Sequence, residues 1–447
     1  MIAVVILPAA MGNPLVHVLV INWNGKEHLE ACFDSLLEQT FASVRFVLVD
    51  NASTDGSVEF VRMRYGHDPR VTVLECGSNL GWSRGNNAGI ERALAEGADY
   101  VFLLNNDTAV APDTVERLVA FAEARPNAGA IAPKMLLFDQ PWILNSLGIA
   151  CSPIGSAWDV GLGRLDGPGW QSPQPVLGVC GGAMFLRAAA LRISGYLPDD
   201  FEIYLDDLDL CLRIWDAGYS CWSCPDAAVR HKFSATMGQG ARARHKYYLN
   251  TRNRLRLMLR NFPRKRLPGC IVRYAIGEVR SIGRALINGE LWKSFAHVRS
   301  WAATLDSLPR IFKYRRKLIL APGAFWPHIS HDADFFPGIE LPIDGWYTAR
   351  RHNGDLVRPI SQRAWIRVTD GRLRVRHVNC YPHLGATCVD ICNNGQKLAT
   401  LATVDLEIAE FDVEGGEVSF ESRHIYEAET TGDTIDAGGW INCESAS

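Results

Sequence analysis

Neither the apolar opening stretch Met1-Ile-Ala-Val-Val-Ile-Leu7 nor the middle of the chain reaches the run of roughly 20 apolar residues that a membrane-spanning helix needs. No basic residue precedes that opening stretch, so it does not read as a secretory signal, and Met11 is a second candidate start. Excess positive charge is also missing. A net charge of −3 and a pI near 6.5 argue against a general nucleic-acid binder. Internal repeats and low-complexity segments are absent, which removes solenoid and linker-like architectures. The 12 cysteines lack the spacing of a small disulfide scaffold and read as mostly buried thiols of a reduced, cytoplasmic protein. Cys221-Trp-Ser-Cys224 is a lone CxxC, half a zinc site at best.

What is present is length and alternation. A chain of 447 residues accommodates two or three domains, each with a full core. Val16 to Ile21, Val44 to Val49, Val71 to Leu74 and Tyr100 to Leu104 are short apolar runs, as buried parallel strands require. Helical patterns separate them: Leu29, Cys32, Phe33, Leu36 and Leu37 in the first, Ser57 to Arg64 in the second, residues 87–96 in the third. This order predicts right-handed βαβ units and a mostly parallel sheet of an α/β fold. Residues 77–89 read as a loop rich in glycine and asparagine. It is neither a Walker loop nor a dinucleotide fingerprint, since it follows the third strand and lacks Gly-Lys-Ser/Thr.

Three of the strands end in polar residues: Asn22 and Asn24, then Asp50 and Asp55, then Asn105, Asn106 and Asp107. In open α/β sheets the carboxyl ends of the strands face one ligand crevice. A carboxylate flanked by amide oxygens suits a hard divalent cation that also holds phosphate, although a polar turn capping the next helix has the same composition. Arg84 in the glycine-rich loop offers a guanidinium to a diphosphate, with Asn79 and Asn86 beside it. Further on, Asp206, Asp207 and Asp209 crowd the start of a helix, where mutual repulsion raises a carboxylate's pKa and improves it as a base. Helix capping by Asp206 accounts for one of the three.

Val-Leu-Val-Ile-Asn22-Trp-Asn24-Gly, Val-Asp50-Asn-Ala-Ser-Thr-Asp-Gly-Ser, Asn79-Leu-Gly-Trp-Ser-Arg84-Gly-Asn86-Asn-Ala-Gly and Leu-Leu-Asn105-Asn106-Asp107-Thr together resemble the family 2 glycosyltransferases. The closest likeness is to the rhamnosyl- and galactofuranosyl-transferase branch. The resemblance covers residues 14–262 with the motifs in the family's order. It implies a GT-A fold, a nucleotide-sugar donor (UDP- or dTDP-linked), a Mn²⁺ or Mg²⁺ ion and inversion at the anomeric carbon. By position it places Asp50 on the nucleotide base and Asn105-x-Asp107 at the metal motif, with Asn105 in place of the usual aspartate. Gly181 and Gly182 fall against the donor sugar, Asp207 falls at the general base with Asp206 sharing that role, and His231 joins Asp107 on the metal. His245, Tyr247, Tyr248, Arg252 and Asn253 match a helical Tyr-Tyr…Arg-Asn segment, which serves either a diphosphate or acceptor contact or helix packing. The implied acceptor is a saccharide or polyprenol-linked saccharide of a bacterial surface polysaccharide.

Residues 109–175 hold one helix, Thr114 to Ala124, and then an insertion rich in Gly, Pro and Trp. Its part from Ser152 to Pro175 has little periodicity and reads as a mobile insertion, of the kind that serves as a lid or binding loop when it is not simply disordered. Residues 263–325 form a basic helical region: between Arg264 and Lys317 there are 13 Lys/Arg against Glu278, Glu290 and Asp306. With Trp292 and Phe295 this composition suits a peripheral anionic membrane surface, or helices packed between domains with a solvated basic face. Residues 326–447 change character. Alternating runs such as Arg372 to Arg376 and Thr387 to Ile391, with turns at Thr369-Asp-Gly and Asn393-Asn-Gly, predict an antiparallel β-sandwich. Gly-Trp346-Tyr resembles the opening of accessory modules of bacterial glycosyltransferases, which would bind glycan, dock a partner or form a homo-oligomer. Two other functions remain open. A sugar nucleotidyltransferase would want cations after the first strand, where only Lys26 stands, and a non-catalytic glycan-binding assembly protein would not need the retained acids.

Overall fold

The computed structural model describes residues 13–164, 166–232, 241–315 and 323–330, followed by 350–352, 355–360, 363–368, 371–378, 387–403, 406–414, 416–422 and 439–446. They fall into two compact units. The first comprises residues up to 138, 146–160 and 172–336; the second comprises 139–145, 161–171 and 337 onward. Gly-Trp346-Tyr, and Thr369 and Asp370 of the expected second turn, lie outside the described residues.

The first unit opens as the alternation requires: β1 (Val16–Asn22), α1 (Lys26–Leu37), β2 (Val44–Asp50), α2 (Ser57–Tyr65), β3 (Val71–Glu75), α3 (Gly81–Ala95) and β4 (Tyr100–Asn105). These four strands are parallel neighbours, with Ile21 opposite both Val49 and Asn105, so their carboxyl ends lie level. Then come β5 (Thr108–Val110), α4 (Thr114–Glu123), β6 (Ala128–Leu137), β7 (Leu144–Ser146, its first two residues assigned to the second unit), β8 (Ile149–Cys151), β9 (Ala157–Asp159), β10 (Ala183–Arg187), α5 (Ala188–Ser194), α6 (Asp206–Asp216) and β11 (Ser220–His231). The sheet runs β3-β2-β1-β4-β10-β6-β11-β5, with β10 antiparallel to β4 and β6, and β11 parallel to β6. It is an α/β fold with a mixed, mostly parallel sheet.

Alternation along each strand divides the core in two. Leu19, Ile21, Val101 and Leu103 pack with α3 and α6 residues such as Ile90 and Leu208. Val18, Val20, Phe102 and Leu104 pack with α1 and α4 residues such as Phe33 and Leu118. Both faces are covered, which is why these strands read as unbroken apolar runs.

Two sequence expectations change. The glycine-rich stretch is mostly helix: α3 begins at Gly81, six residues before the expected start. Gly77 and Gly81 do adopt positive φ (70° and 79°), but Gly85 and Gly89 are helical. A Cβ on Gly85 would lie 2.7 Å from Ile21 Cδ1, and one on Gly89 would lie 2.9 Å from Leu19 and Val49. Their role is close helix-to-sheet approach rather than loop conformation. The stretch after Ser152 is also not a free lid throughout. β8 and β9 form a hairpin turning through Gly155 at φ 76°, with Cys151 and Ile154 buried in the core.

α7 (Ala241–Asn261), α8 (Leu267–Ile287), α9 (Leu291–Asp306) and α10 (Leu308–Arg315) complete the first unit. No helix among the described residues is long and apolar enough to cross a membrane. Cys32, Cys76, Cys151, Cys180, Cys211, Cys221, Cys224, Cys270, Cys388 and Cys392 are free thiols.

The second unit holds antiparallel strands β12 (Arg350–His352), β13 (Asp355–Ile360), β14 (Arg363–Val368), β15 (Gly371–Val378), β16 (Thr387–Asn393), β17 (Gln396–Thr403), β18 (Leu406–Val413), β19 (Gly416–Ser422) and β20 (Gly439–Ala446). They form a sheet β12-β13-β20-β15-β18 and a sheet β14-β19-β16-β17. Val375 and Val413 from one share a core with Val389, Ile391, Val418 and Phe420 from the other, which makes a β-sandwich. The β16–β17 turn uses Asn394 (φ 46°) and Gly395 (φ 81°), the two left-handed residues that an Asn-Gly hairpin turn demands.

Candidate active site

The level strand ends join into one polar network. Asn22 at the end of β1 donates from Nδ2 to Asp50 Oδ1 (3.1 Å) and to Ser53 Oγ (3.1 Å), and its Oδ1 accepts from Asn106 Nδ2 (2.6 Å). Asp50 also accepts from the Ser53 hydroxyl (2.6 Å) and backbone N–H (2.8 Å). Asn24, at φ 51°, accepts from the Thr54 N–H (2.7 Å), so the loops after β1 and β2 are tied together. Gly25 must be glycine because a Cβ there would overlap Asn106.

A second group forms across β4, β10, β11 and α6. Asn105 Oδ1 accepts from Trp82 Nε1 (3.2 Å), and the Asn105 N–H donates to the Gly182 carbonyl (3.0 Å). A Cβ on Gly181 would lie 2.5 Å from the Trp82 ring, so glycine here lets that ring pack directly against the backbone. Asp107 is buried, and its Oδ1 sits 3.3 Å from His231 Nε2 without a hydrogen bond. The pairing of β11 with β5, which sets His231 opposite Thr108, fixes that approach. A buried carboxylate oxygen left without a hydrogen bond beside an imidazole nitrogen fits a divalent cation.

Asp206 and Asp207 begin α6 after a loop with three non-glycine residues in left-handed conformation, Glu202, Tyr204 and Leu205 (φ 68°, 72° and 62°). Such residues cost on the order of 1–3 kcal/mol each and persist only where surroundings impose them. Here α7 imposes them. Asn253 Nδ2 donates to the carbonyls of Phe201 (2.9 Å), Ile203 (3.0 Å) and Tyr204 (2.9 Å), while Arg252 binds Glu202 Oε1 and the Phe201 carbonyl, each at 2.8 Å. The Arg252-Asn253 pair therefore holds the loop that delivers the two acids. Replacing Asn253 with alanine should lower stability by about 1–3 kcal/mol, the usual cost of stranding buried carbonyls. Urea denaturation measures it, and an unchanged midpoint would refute the clamp.

Asp206 does not cap the helix. The N-cap is Leu205, and Asp206 is buried with its Oδ2 accepting from Ser83 Oγ (2.6 Å). Burial, then the neighbouring Asp207, pushes Asp206 up to about 7. Burial also raises Asp207, against the N–H groups of Gly181 (2.9 Å) and Leu208 (2.7 Å) that favour its carboxylate. Asp209 is paired with Arg213 Nε (2.9 Å) and Arg260 Nε (3.2 Å), which fixes α6 to its surroundings.

Not every expected residue joins these groups. Arg84, expected at the diphosphate, is exposed and lines a separate cavity of about 840 Å³ with Asn87, Arg192, Asp200 and Arg310. It follows Trp82 by two positions, so on a helix it points away from the face that Trp82 occupies. Asn79 accepts from the Gly81 N–H (2.9 Å) and shapes the start of α3, and Asn86 is buried beneath Trp82, donating to its carbonyl (3.0 Å). Asp159 is an addition. It comes in on β9, and burial pushes its carboxyl up to about 6 within electrostatic reach of Asp207 and His231. Trp82 and Ser83 are also additions. Both stand inside a quoted motif, but only the fold shows that they touch Asn105 and Asp206.

Residues 17–189 match the family model described as Glycosyl transferase family 2. The chain is similar to the N-acetylglucosaminyl-diphospho-decaprenol L-rhamnosyltransferase of Mycobacterium tuberculosis, 28% identical over 246 residues that cover 50% of this chain and 77% of that protein. It is also similar to the putative glycosyltransferase EpsE of Bacillus subtilis, 24% identical over 220 residues, 49% of this chain and 73% of that one. Among solved structures, GalNAc-T7 with UDP, GalNAc and Mn²⁺ aligns with a TM-score of 0.46 at 14% identity, over 57% of this chain and 49% of the other.

Proposed function

We propose that residues 17–189, which match the Glycosyl transferase family 2 model, form the catalytic domain of a glycosyltransferase that moves a sugar, with inversion, from a UDP- or dTDP-linked donor to a lipid-linked saccharide acceptor. The observation that carries the reading is the meeting of two carboxylate sites at one sheet edge. Asp107 with its partner His231 meets the Gly181-Gly182 backbone at Gly182, where the His231 ring is 3.5 Å from the Cβ position, and Asp207 meets it at Gly181, whose N–H it accepts (2.9 Å).

The proposed division of labour follows from chemistry. Asp207 takes the proton of the acceptor hydroxyl, and the oxygen attacks the anomeric carbon from the face opposite the diphosphate. The anomeric C–O bond then breaks and the electron pair leaves with the nucleoside diphosphate. Asp206, held by Ser83, keeps a second acid beside the base. The Gly181-Gly182 backbone, packed beside the Trp82 ring, meets the donor sugar, and the Asn22–Asp50–Ser53 network offers a rigid edge to the nucleotide base. Asp107 and His231 would hold a Mn²⁺ or Mg²⁺ ion, which supplies positive charge to the departing diphosphate. Arg84 has no part in this reading, because it faces another cavity.

A lipid-linked acceptor is supported by the activity that the mycobacterial relative is named for. A polyprenol-linked substrate would bring the reaction to a membrane surface. The expected result is hydrolysis of one nucleotide-sugar from a panel of UDP-, dTDP- and GDP-sugars with Mn²⁺ or Mg²⁺. No hydrolysis and no nucleotide-induced thermal shift with any donor would favour a non-catalytic glycan-binding protein. A nucleotidyltransferase is disfavoured by Lys26, whose side chain lies over the Phe60 ring, 5.9 Å from its centroid.

A further inference from the structure

Large apolar side chains are exposed mainly in one place. Of the 14 in the described residues, nine lie between Val272 and Leu305. On α8 they are Val272, Ile276, Val279, Leu286 and Ile287, spaced at i, i+4, i+7, i+14 and i+15; on α9 they are Leu291, Phe295, Val298 and Leu305, at i, i+4, i+7 and i+14. Each set is a single helical stripe, and Ile287 and Leu291 bring the two together at the turn through Gly289. The exposure is high, 86% at Ile287 and 68% at Phe295.

The stripes are not a packing face waiting to turn inward, because the opposite faces are locked. Glu278 of α8 accepts from His297 Nδ1 (2.6 Å) and Trp301 Nε1 (3.2 Å) of α9 and pairs with Arg254 of α7. Burial would raise Glu278, but His297 and Arg254 outweigh it and its pKa is lowered, so it stands as a charged hub. Tyr247 Oη of α7 lies 2.9 Å from His297 Nε2. The hairpin is thus fixed to the helix whose Asn253 holds the loop before Asp207.

Its charge has one sign. Exposed Arg273, Arg280 and Arg284 flank the α8 stripe on one side at helical spacing. Beside the α9 stripe, Arg244, His245, Tyr248, Trp292, Phe295 and Arg299 line a cavity of about 330 Å³. In it Arg299 sits 4.2 Å from the Tyr248 ring centroid and Arg244 5.4 Å from that of Trp292. Of the acids, Glu278 is internal, while Glu290 and Asp306 pair with Lys293 and Arg310.

We propose that the α8–α9 hairpin is a docking surface for an anionic phospholipid bilayer. The apolar stripes enter the head-group boundary and the flanking arginines meet lipid phosphates. The inference deepens the lipid-linked acceptor reading and rests on it for its purpose.

The test uses the full chain with phosphatidylcholine vesicles, with and without phosphatidylglycerol, followed by co-sedimentation and tryptophan fluorescence. Binding should be at least tenfold tighter to the phosphatidylglycerol vesicles and should weaken with salt. Leu286→Asp with Ile287→Asp, and separately Arg280→Glu with Arg284→Glu, should each weaken it at least tenfold while leaving donor hydrolysis in solution unchanged. Absence of vesicle binding, or equal binding by the variants, overturns the proposal. So does a wild-type dimer in light scattering that the Leu286/Ile287 variant converts to monomer, since the stripes then face a second copy. Donor hydrolysis without vesicle binding defeats the docking surface alone, and vesicle binding without hydrolysis with any donor defeats the catalytic reading alone.

Discussion

Asp207→Asn should lower sugar transfer by roughly 10²–10⁴-fold, the usual span for a lost general base, while donor affinity stays within about twofold. Asparagine keeps the shape but has one acceptor oxygen where the carboxylate uses Oδ2 for the Gly181 N–H and Oδ1 for the Leu208 N–H, so one of the two bonds is kept and the other is lost. What it removes is proton affinity. Because burial raises Asp207 and pushes its neighbour Asp206 up to about 7, transfer should rise with pH across the region approaching 7 rather than across the ordinary carboxylate range. Asp206→Asn leaves one titrating acid and should move that limb to lower pH.

Stability should run the opposite way. A carboxyl whose folded pKa is raised stabilises the fold fully below the unfolded value, about 3.9, and that contribution is lost as pH rises through about 7. The ligand-free enzyme should therefore lose Tm between pH 5 and pH 8, with a smaller loss in Asp206→Asn. Calorimetry across that range and initial rates at saturating donor give both readouts. Parallel loss of donor binding and transfer in Asp207→Asn would falsify its assignment as base.

The strand ends were legible because a buried strand must be apolar until it leaves the sheet. Tyr100 to Leu104 could only stop where the crevice begins, and Asn105 marks that point. The hydrogen-bonding partners were not legible. Asn106 reaches Asn22 across 84 positions of sequence, and Ser83 reaches Asp206 across 123, with no local pattern to announce either. Glycine misled for a physical reason: composition does not separate a glycine chosen for positive φ, such as Gly81, from one chosen for close approach, such as Gly85. Asp159 was invisible because its segment has no period; the β8–β9 hairpin alone brings it in. On α8 and α9, helical spacing of apolar residues ordinarily implies one buried face. Sequence alone does not reveal that each helix buries its other face, around Tyr274 and Glu278 or around His297 and Ser300, and leaves the stripe outside.

Asp107→Ala should cost about 10²–10³-fold in transfer at saturating metal, comparable to losing one charge-stabilising donor in other enzymes. Chelation of the wild type followed by dialysis should abolish transfer, with Mn²⁺ restoring it. The proposed ligands are two side chains, Asp107 and His231, and among the described residues no group of three or more His, Cys, Asp or Glu is assembled for an ion. In this reading water and the donor's diphosphate would supply the other ligands, the usual arrangement for Mg²⁺. Metal and nucleotide should therefore bind together: Mn²⁺ affinity, read by titration calorimetry or paramagnetic resonance without any turnover, should tighten when UDP or dTDP is present. That coupling should vanish in Asp107→Ala and weaken in His231→Ala. If the 3.3 Å Asp107–His231 contact were only a structural ion pair, Asp107→Ala would lower Tm and leave Mn²⁺ binding untouched. The backbone of Asp107 is separately held, its carbonyl accepting from the Lys232 N–H (3.0 Å), so the variant should fold and the two outcomes can be told apart.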